Sequence, residues 1–239
     1  MLYQYEFDPR KIPNYSISEA AHYLRVREGK LRDWIGGWTS RKKSHHRFFE
    51  PLIELPKPNE EEQQNPKIKR LCFMNLVEGH LLSGMFGMGL PPERVYDAIA
   101  DIIPEINLPY PLAQQKFQTD GVPLLFDSLL EHRAISAQKQ QEMREVIKTY
   151  LDRIERDEVG LPLRLFLFTR RPGPEDPKTV AINPHISFGR PVLTGTGIPT
   201  AILAERYKAG DSIDELAEDY NCDRLLIEEG IRCELPLVA

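Results

Sequence analysis

The chain is poor in cysteine. Only Cys72, Cys222 and Cys233 stand among its 239 residues. They form neither a C-x-x-C pair nor an even set, so a disulfide framework is excluded, and a reducing cytoplasm is the expected compartment. Long apolar runs are missing as well. No stretch approaches the roughly 18 residues that spanning a bilayer requires. The N-terminus, MLYQYEFDPRK, has no apolar core of the secretory-signal kind. The six histidines (His22, His45, His46, His80, His132 and His185) show neither H-E-x-x-H spacing nor zinc-like spacing with a cysteine. No metal and no cofactor are therefore expected. Gly195-Thr196-Gly197 lacks the third glycine of G-x-G-x-x-G and the G-K-[ST] of a P-loop. The acidic pairs Glu218-Asp219 and Glu228-Glu229 have no Ser, Cys or Lys nucleophile pattern nearby. With no nucleophile, base and orienting group in sight, the expectation is a protein that is not an enzyme.

What is present is an ordinary globular composition, 41% hydrophobic and 28% charged, on a chain long enough to bury a sizeable core. The charge is uneven. The whole chain holds 31 Lys and Arg against 36 Asp and Glu, a formal net of -5. Residues 21–49 carry eight basic side chains and two acidic ones, whereas residues 199–239 carry four basic and ten acidic. A basic front on an acidic chain points to a polyanion at one end, and an acidic tail suits a basic protein partner. The alternative is a pair of solvated faces.

The apolar residues Ile17, Ala20, Ala21 and Leu24, then Leu31, Trp34 and Ile35, have helical spacing. They predict two short helices over 15–36, the first capped by Ser18 and the two joined by a turn at 25–29 containing Gly29. Gly36-Gly37 ends the second helix. Residues 38–55 then predict a β-hairpin, with TSRKKSHH as a basic loop and RFFEPLIEL as the return strand. A helix-turn-helix places donors on its second helix, and a hairpin after it can carry cations to the neighbouring backbone. The candidate DNA-binding residues are accordingly Arg25, Lys30, Arg32, Arg41, Lys42, Lys43 and Arg47.

Residues 56–67 are polar and proline-rich, a loop or linker. A helix pair follows over 70–103, interrupted at Gly87-Met88-Gly89, opened again by Pro91-Pro92 and stopped by Pro104. Residues 105–135 look irregular, with a small hairpin at Asp120-Gly121. Residues 137–155 predict a long helix capped by Ser136, and the alternation in LRLFLFTR (163–170) a strand. The three prolines of 171–178 mark the expected domain boundary. Beyond it come strands at 180–182 and 191–194, then three short helices, with a Ser212–Glu215 capping box and Asp223 as a further cap. The fold class expected is mainly α with small β-hairpins (α+β). Its expected domains are 1–104, a winged helix-turn-helix; 105–170, a connecting region; and 171–239, a helix-turn-helix-like unit.

Two stretches carry a family resemblance. YSISEAAHYLRVREGKLRDWIGGW with RFFEPLIEL resembles a MerR-type winged helix-turn-helix, and FMNLVEGHLLSGMFGMGLPPERVYDAI resembles the helix pair that follows the wing there. The stretch INPHISFGRPVLTGTGIPTAILAERYKAGDSIDELAEDYNCDRLLIEEGIR resembles domain-of-unknown-function family 433, and the whole chain resembles the longer VapB-type antitoxins of that group. It departs from many members at Gly197, where they carry Arg. The resemblance implies an antitoxin of a type II toxin–antitoxin module. Such a protein neutralises a PIN-like ribonuclease toxin and represses its own operon by binding operator DNA, with Lys30, Arg32, Arg41, Lys42 and Lys43 facing the duplex. A homodimer is expected, because operators read by such proteins are usually palindromic. Glu218, Asp219, Glu228 and Glu229 are the candidate toxin-binding residues. The rival reading is a stand-alone MerR-like transcriptional regulator without a toxin partner.

Overall fold

A computed structural model describes residues 8–42, 45–58, 60–65, 68–131 and 135–236. Its organising element is a helix with almost no polar face. Phe73–Gly87 (α4) buries every residue from Phe73 to Met85, as a helix apolar all round must. The other elements are arranged about it.

Before α4 come a two-residue strand, Tyr15–Ser16 (β1), and the helices Ile17–Tyr23 (α1) and Glu28–Gly36 (α2). Then follow the strands Trp38–Lys42 (β2) and His45–Phe49 (β3), the short helix Glu60–Gln64 (α3) and the strand Arg70–Leu71 (β4). Ser16, not Ser18, caps α1. Its Oγ accepts from the Glu19 N–H at 3.2 Å, while the Glu19 carboxylate accepts from the Ser16 N–H at 2.9 Å. Only Ser16 has a Glu three residues on, and that reciprocal pair satisfies two otherwise unpaired donors.

The turn after α1 is a Schellman motif. The Val26 N–H reaches the Ala21 carbonyl and the Arg25 N–H the His22 carbonyl. Its left-handed residue is Arg25 (φ 56°), and Gly29 lies inside α2. Gly37 does end α2, at φ 84°, and a Cβ there would sit 2.8 Å from the Phe49 carbonyl oxygen. β2 and β3 pair antiparallel from Trp38↔Phe49 to Lys42↔His45. The return strand therefore stops at Phe49, and Leu52 and Ile53 instead donate their N–H groups to the Trp34 carbonyl.

After α4, Pro92–Ile106 (α5) runs through Pro104 and closes on Asn107 in the left-handed conformation. Pro104 lacks only its own donor and lies in the last turn, where buried Ile102 and Ile106 hold the helix on either side of it. No hairpin forms at Asp120-Gly121. A 3-10 turn at Pro111–Ala113 and a π turn at Phe117–Gly121 lead into the helix Val122–Leu130 (α6). Leu125, Phe126 and Leu129 are its buried side, a helical spacing that outweighs the strand-like composition of VPLLF. Gly121 has an ordinary φ, and what it provides is room: a Cβ would meet the Phe117 ring at 2.6 Å. Ala137–Leu151 (α7) forms, capped by Ser136 as expected, but it stops four residues short of the expected 155, because Ile154 pairs with Leu165 in a sheet.

Strands Ile154–Arg156 (β5), Pro162–Phe166 (β6), Val180–Ile182 (β7) and Val192–Leu193 (β8) make one antiparallel sheet in chain order. The proline-rich segment 171–178 thus joins β6 to β7 within a single sheet. Its geometry is held by the buried Arg153, whose guanidinium donates to the Leu167 and Pro177 carbonyls and pairs with Asp176 at 3.1 Å. Thr200–Ala209 (α8), Ile213–Asp219 (α9) and Arg224–Glu234 (α10) close the chain, with both expected caps, the Ser212–Glu215 box and Asp223, in place. Gly230 brings α10 against β8 and α8, since a Cβ there would lie 2.8 Å from Leu193 and 3.0 Å from Leu203.

Candidate nucleic-acid interface

α2 buries Leu31, Trp34 and Ile35 and leaves Glu28, Gly29, Arg32 and Gly36 outside. Arg32 is 59% exposed and bridges to Glu28 one turn back at 3.1 Å. A pair this open to water contributes little and can be exchanged for a phosphate. Arg27, which precedes the helix, is exposed as well. It is not among the sequence-derived candidates, although the position opening a second helix is where base and phosphate contacts concentrate.

The other cations of the basic segment are arranged differently. Arg25 was expected to face DNA. Instead its guanidinium donates to the carbonyls of Arg232, Cys233, Leu235 and Phe168, at 2.9 to 3.3 Å. It caps the C-terminus of α10, where the helix dipole favours a cation. The His22 Nε2–H donates to the same Cys233 carbonyl at 2.8 Å. Lys30 is half-buried, its ammonium 5.3 Å from the Trp34 ring centre and 4.9 Å from that of Phe86. Burial, and then the Arg27 charge, hold its pKa below the usual lysine range. Arg47 makes a two-pronged pair with Asp97 of α5, at 2.6 and 3.1 Å. Arg41 and Lys42 end β2 at the hairpin tip, and Lys43 lies outside the described residues. The cations counted along the chain are thus partly engaged in space, Arg47 by the Asp97 charge and Arg25 by backbone carbonyls, which a linear count does not see.

At the acidic end, Glu229 was expected to meet a partner but is 2% exposed. Its carboxylate accepts from the Thr169 hydroxyl and from Arg170 at 2.9 Å. Burial opposes its charge, and these hydrogen bonds outweigh that effect, holding its pKa below the usual carboxylate range. It fastens α10 to the segment after β6. Glu218 is exposed, Asp219 pairs with Arg206 at 2.6 Å, and Glu228 pairs with Arg224 at 3.1 Å.

The two ends of the chain also touch. Arg190 pairs with Glu19, Asn14 donates to the Phe188 carbonyl at 2.7 Å, and the Tyr15 hydroxyl donates to the Gly189 carbonyl at 2.8 Å. With the His22 and Arg25 contacts to α10, these dock the α1–α2 unit on the turn before β8 and on the end of α10.

Residues 180–232 match a family described as protein of unknown function DUF433. Over 223 residues the chain is 25% identical to "Putative antitoxin VapB45" of Mycobacterium tuberculosis (strain ATCC 25618 / H37Rv), an alignment covering 87% of this chain and 88% of that one. The fold is also that of a crystal structure of Rv2018 from Mycobacterium tuberculosis, with a TM-score of 0.63 and 21% identity over 94% of this chain and 99% of the other. The chain is thus similar, nearly end to end, to an antitoxin-named protein, and its C-terminal unit matches a family whose function is undescribed.

Proposed function

We propose that this protein is the antitoxin of a toxin–antitoxin module and binds DNA through α2 and the β2–β3 hairpin. The observation that carries the reading is the end-to-end similarity to VapB45, which leaves no large part of either chain unmatched. The DNA half is supported by the order of elements: two short helices joined by a tight turn, a hairpin directly after, and exposed arginines where the second helix starts and along its outer side. In this reading Arg27 and Arg32 contact the duplex and the hairpin tip, with Arg41, Lys42 and Lys43, follows the neighbouring phosphates. The partner is a PIN-like ribonuclease whose cationic RNA groove meets Glu218, Asp219 and Glu228. The working form is a cytoplasmic homodimer on a two-fold operator.

Fluorescence anisotropy on the DNA upstream of its own gene tests the first half. Binding should fall with salt, and Arg27→Glu with Arg32→Glu should weaken it and flatten the salt dependence, each lost phosphate contact lowering the slope by about 0.9. An unchanged slope removes α2 from the interface. Co-expression with the product of the adjacent open reading frame tests the second half: a stable complex and restored growth are expected, and a toxic neighbour that the protein never relieves rejects it.

A further inference from the structure

Beneath the outer side of α2 lies a cavity of about 530 Å³ walled by four aromatic side chains, Trp34, Trp38, Phe86 and Tyr96. It is framed by α2, β2, the end of α4 and α5. Trp38 and Tyr96 stack 5.5 Å apart, and Phe86 meets Trp34 at 5.5 Å and Tyr96 at 5.4 Å, so the walls are braced against one another. Two polar features point to an occupant. Tyr96 is 3% exposed, yet its hydroxyl has no hydrogen-bond partner among the described residues. A buried hydroxyl left unpaired is costly unless something supplies the bond. Arg27, Lys30 and Asp33 also line the cavity, one helical turn apart on the same side of α2. Lys30 and Arg27 make no ion pair among the described residues, so two cations sit together at the N-terminal end of that row. Asp33 stands at the other end, where its charge acts on the Tyr96 hydroxyl.

We propose that this cavity is a binding site for a small aromatic anion, with its ring between the tryptophans, its carboxylate or similar group at Lys30 and Arg27, and a polar atom at the Tyr96 hydroxyl. Size and lining fit such a ligand: sites of this class are mostly apolar cavities of about 300–1,000 Å³ with a few converging polar groups. The site stands whether or not α2 binds DNA. If α2 does, the ligand spans the second helix and the hairpin and fixes the angle between them.

The chain has two tryptophans in all, and both line the cavity, so tryptophan emission reports occupancy directly. 4′-Hydroxybiphenyl-4-carboxylate, which carries a second polar atom for the Tyr96 hydroxyl, is titrated into the full chain without DNA, by emission and by calorimetry, beside neutral 4′-hydroxybiphenyl-4-carboxamide. The expected result is saturable binding of the carboxylate. Lys30→Met should weaken it about tenfold and leave the amide unchanged, the size of one charge-assisted contact. Tyr96→Phe should weaken both ligands while making the free protein more stable, because it removes a costly unpaired hydroxyl and keeps the ring. Unaltered emission up to the probe's solubility limit overturns the proposal. So does binding that neither variant changes, which would put the ligand elsewhere. Because no DNA is present, failure here leaves the DNA reading to its own test.

Discussion

Glu78 lies midway along α4, 1% exposed, with one carboxyl oxygen accepting from the Asn75 amide at 3.3 Å and the other unpaired among the described residues. Burial pushes its pKa from 4.5 up to about 8, the Asn75 and Leu112 hydrogen bonds only partly opposing it. The folded chain therefore keeps a proton at neutral pH that the unfolded chain releases. Below pH 4.5 the carboxyl is protonated in both states and costs nothing. Between there and pH 8 unfolding releases a proton, so stability falls as pH rises, by about 1.4 kcal/mol per pH unit. Across the whole window that amounts to on the order of 5 kcal/mol, a third or more of a typical domain's stability. Glu78→Gln keeps the shape and removes the ionisation. Urea unfolding at half-unit steps from pH 6.5 to 9, above the range in which the buried His80 titrates, should show the wild-type midpoint declining toward alkaline pH and the variant's nearly level, the curves separating most at the top of the range. Parallel curves would refute the reasoning, since they would mean that Glu78 ionises equally in both states.

The acid side is set by a different group. Burial in α4 holds His80 down to about 4, so its contribution to stability drops by about 3 kcal/mol as pH falls from 6.5 to 4; in a second urea series from pH 4 to 6.5 on the Glu78→Gln background, which removes the opposing carboxyl, His80→Phe should abolish that slope. Arg25→Ala should cost about 1–3 kcal/mol of stability and leave the salt slope of DNA binding unchanged, because its guanidinium serves α10; urea unfolding and anisotropy together check both halves. Glu229→Ala should cost about 1–3 kcal/mol through the abandoned Thr169 and Arg170 contacts, whereas Glu218→Gln should change thermal stability by less than about 0.5 kcal/mol and act only on partner binding. Gly37→Ala should lower the melting temperature, since it demands a left-handed alanine and a Cβ against the Phe49 carbonyl.

Local features were legible in the chain itself. Helix periodicity, the Ser136, Ser212 and Asp223 caps, the stop at Gly37 and the strands flanking Asn183 follow from spacing and backbone chemistry that act over three or four residues, and tertiary packing did not override them. The helix over 122–130 was masked by its β-like composition. Arg25 in a position usual for glycine leaves no local trace, because the carbonyls that hold it there belong to residues 143 to 210 positions away. Glu229 and Glu228 are neighbours in sequence, yet one is buried and the other half-exposed, because α10 turns only the former toward Thr169 and Arg170. Charge, too, is set locally by sequence but cancelled in space, as Arg47 against Asp97 shows. The sequence by itself determined the helices whose apolar spacing is regular and which end is basic. Only the folded chain decided which cations remain available and that four distant aromatic residues enclose a cavity, because burial and long-range pairing depend on what packing brings opposite each side chain.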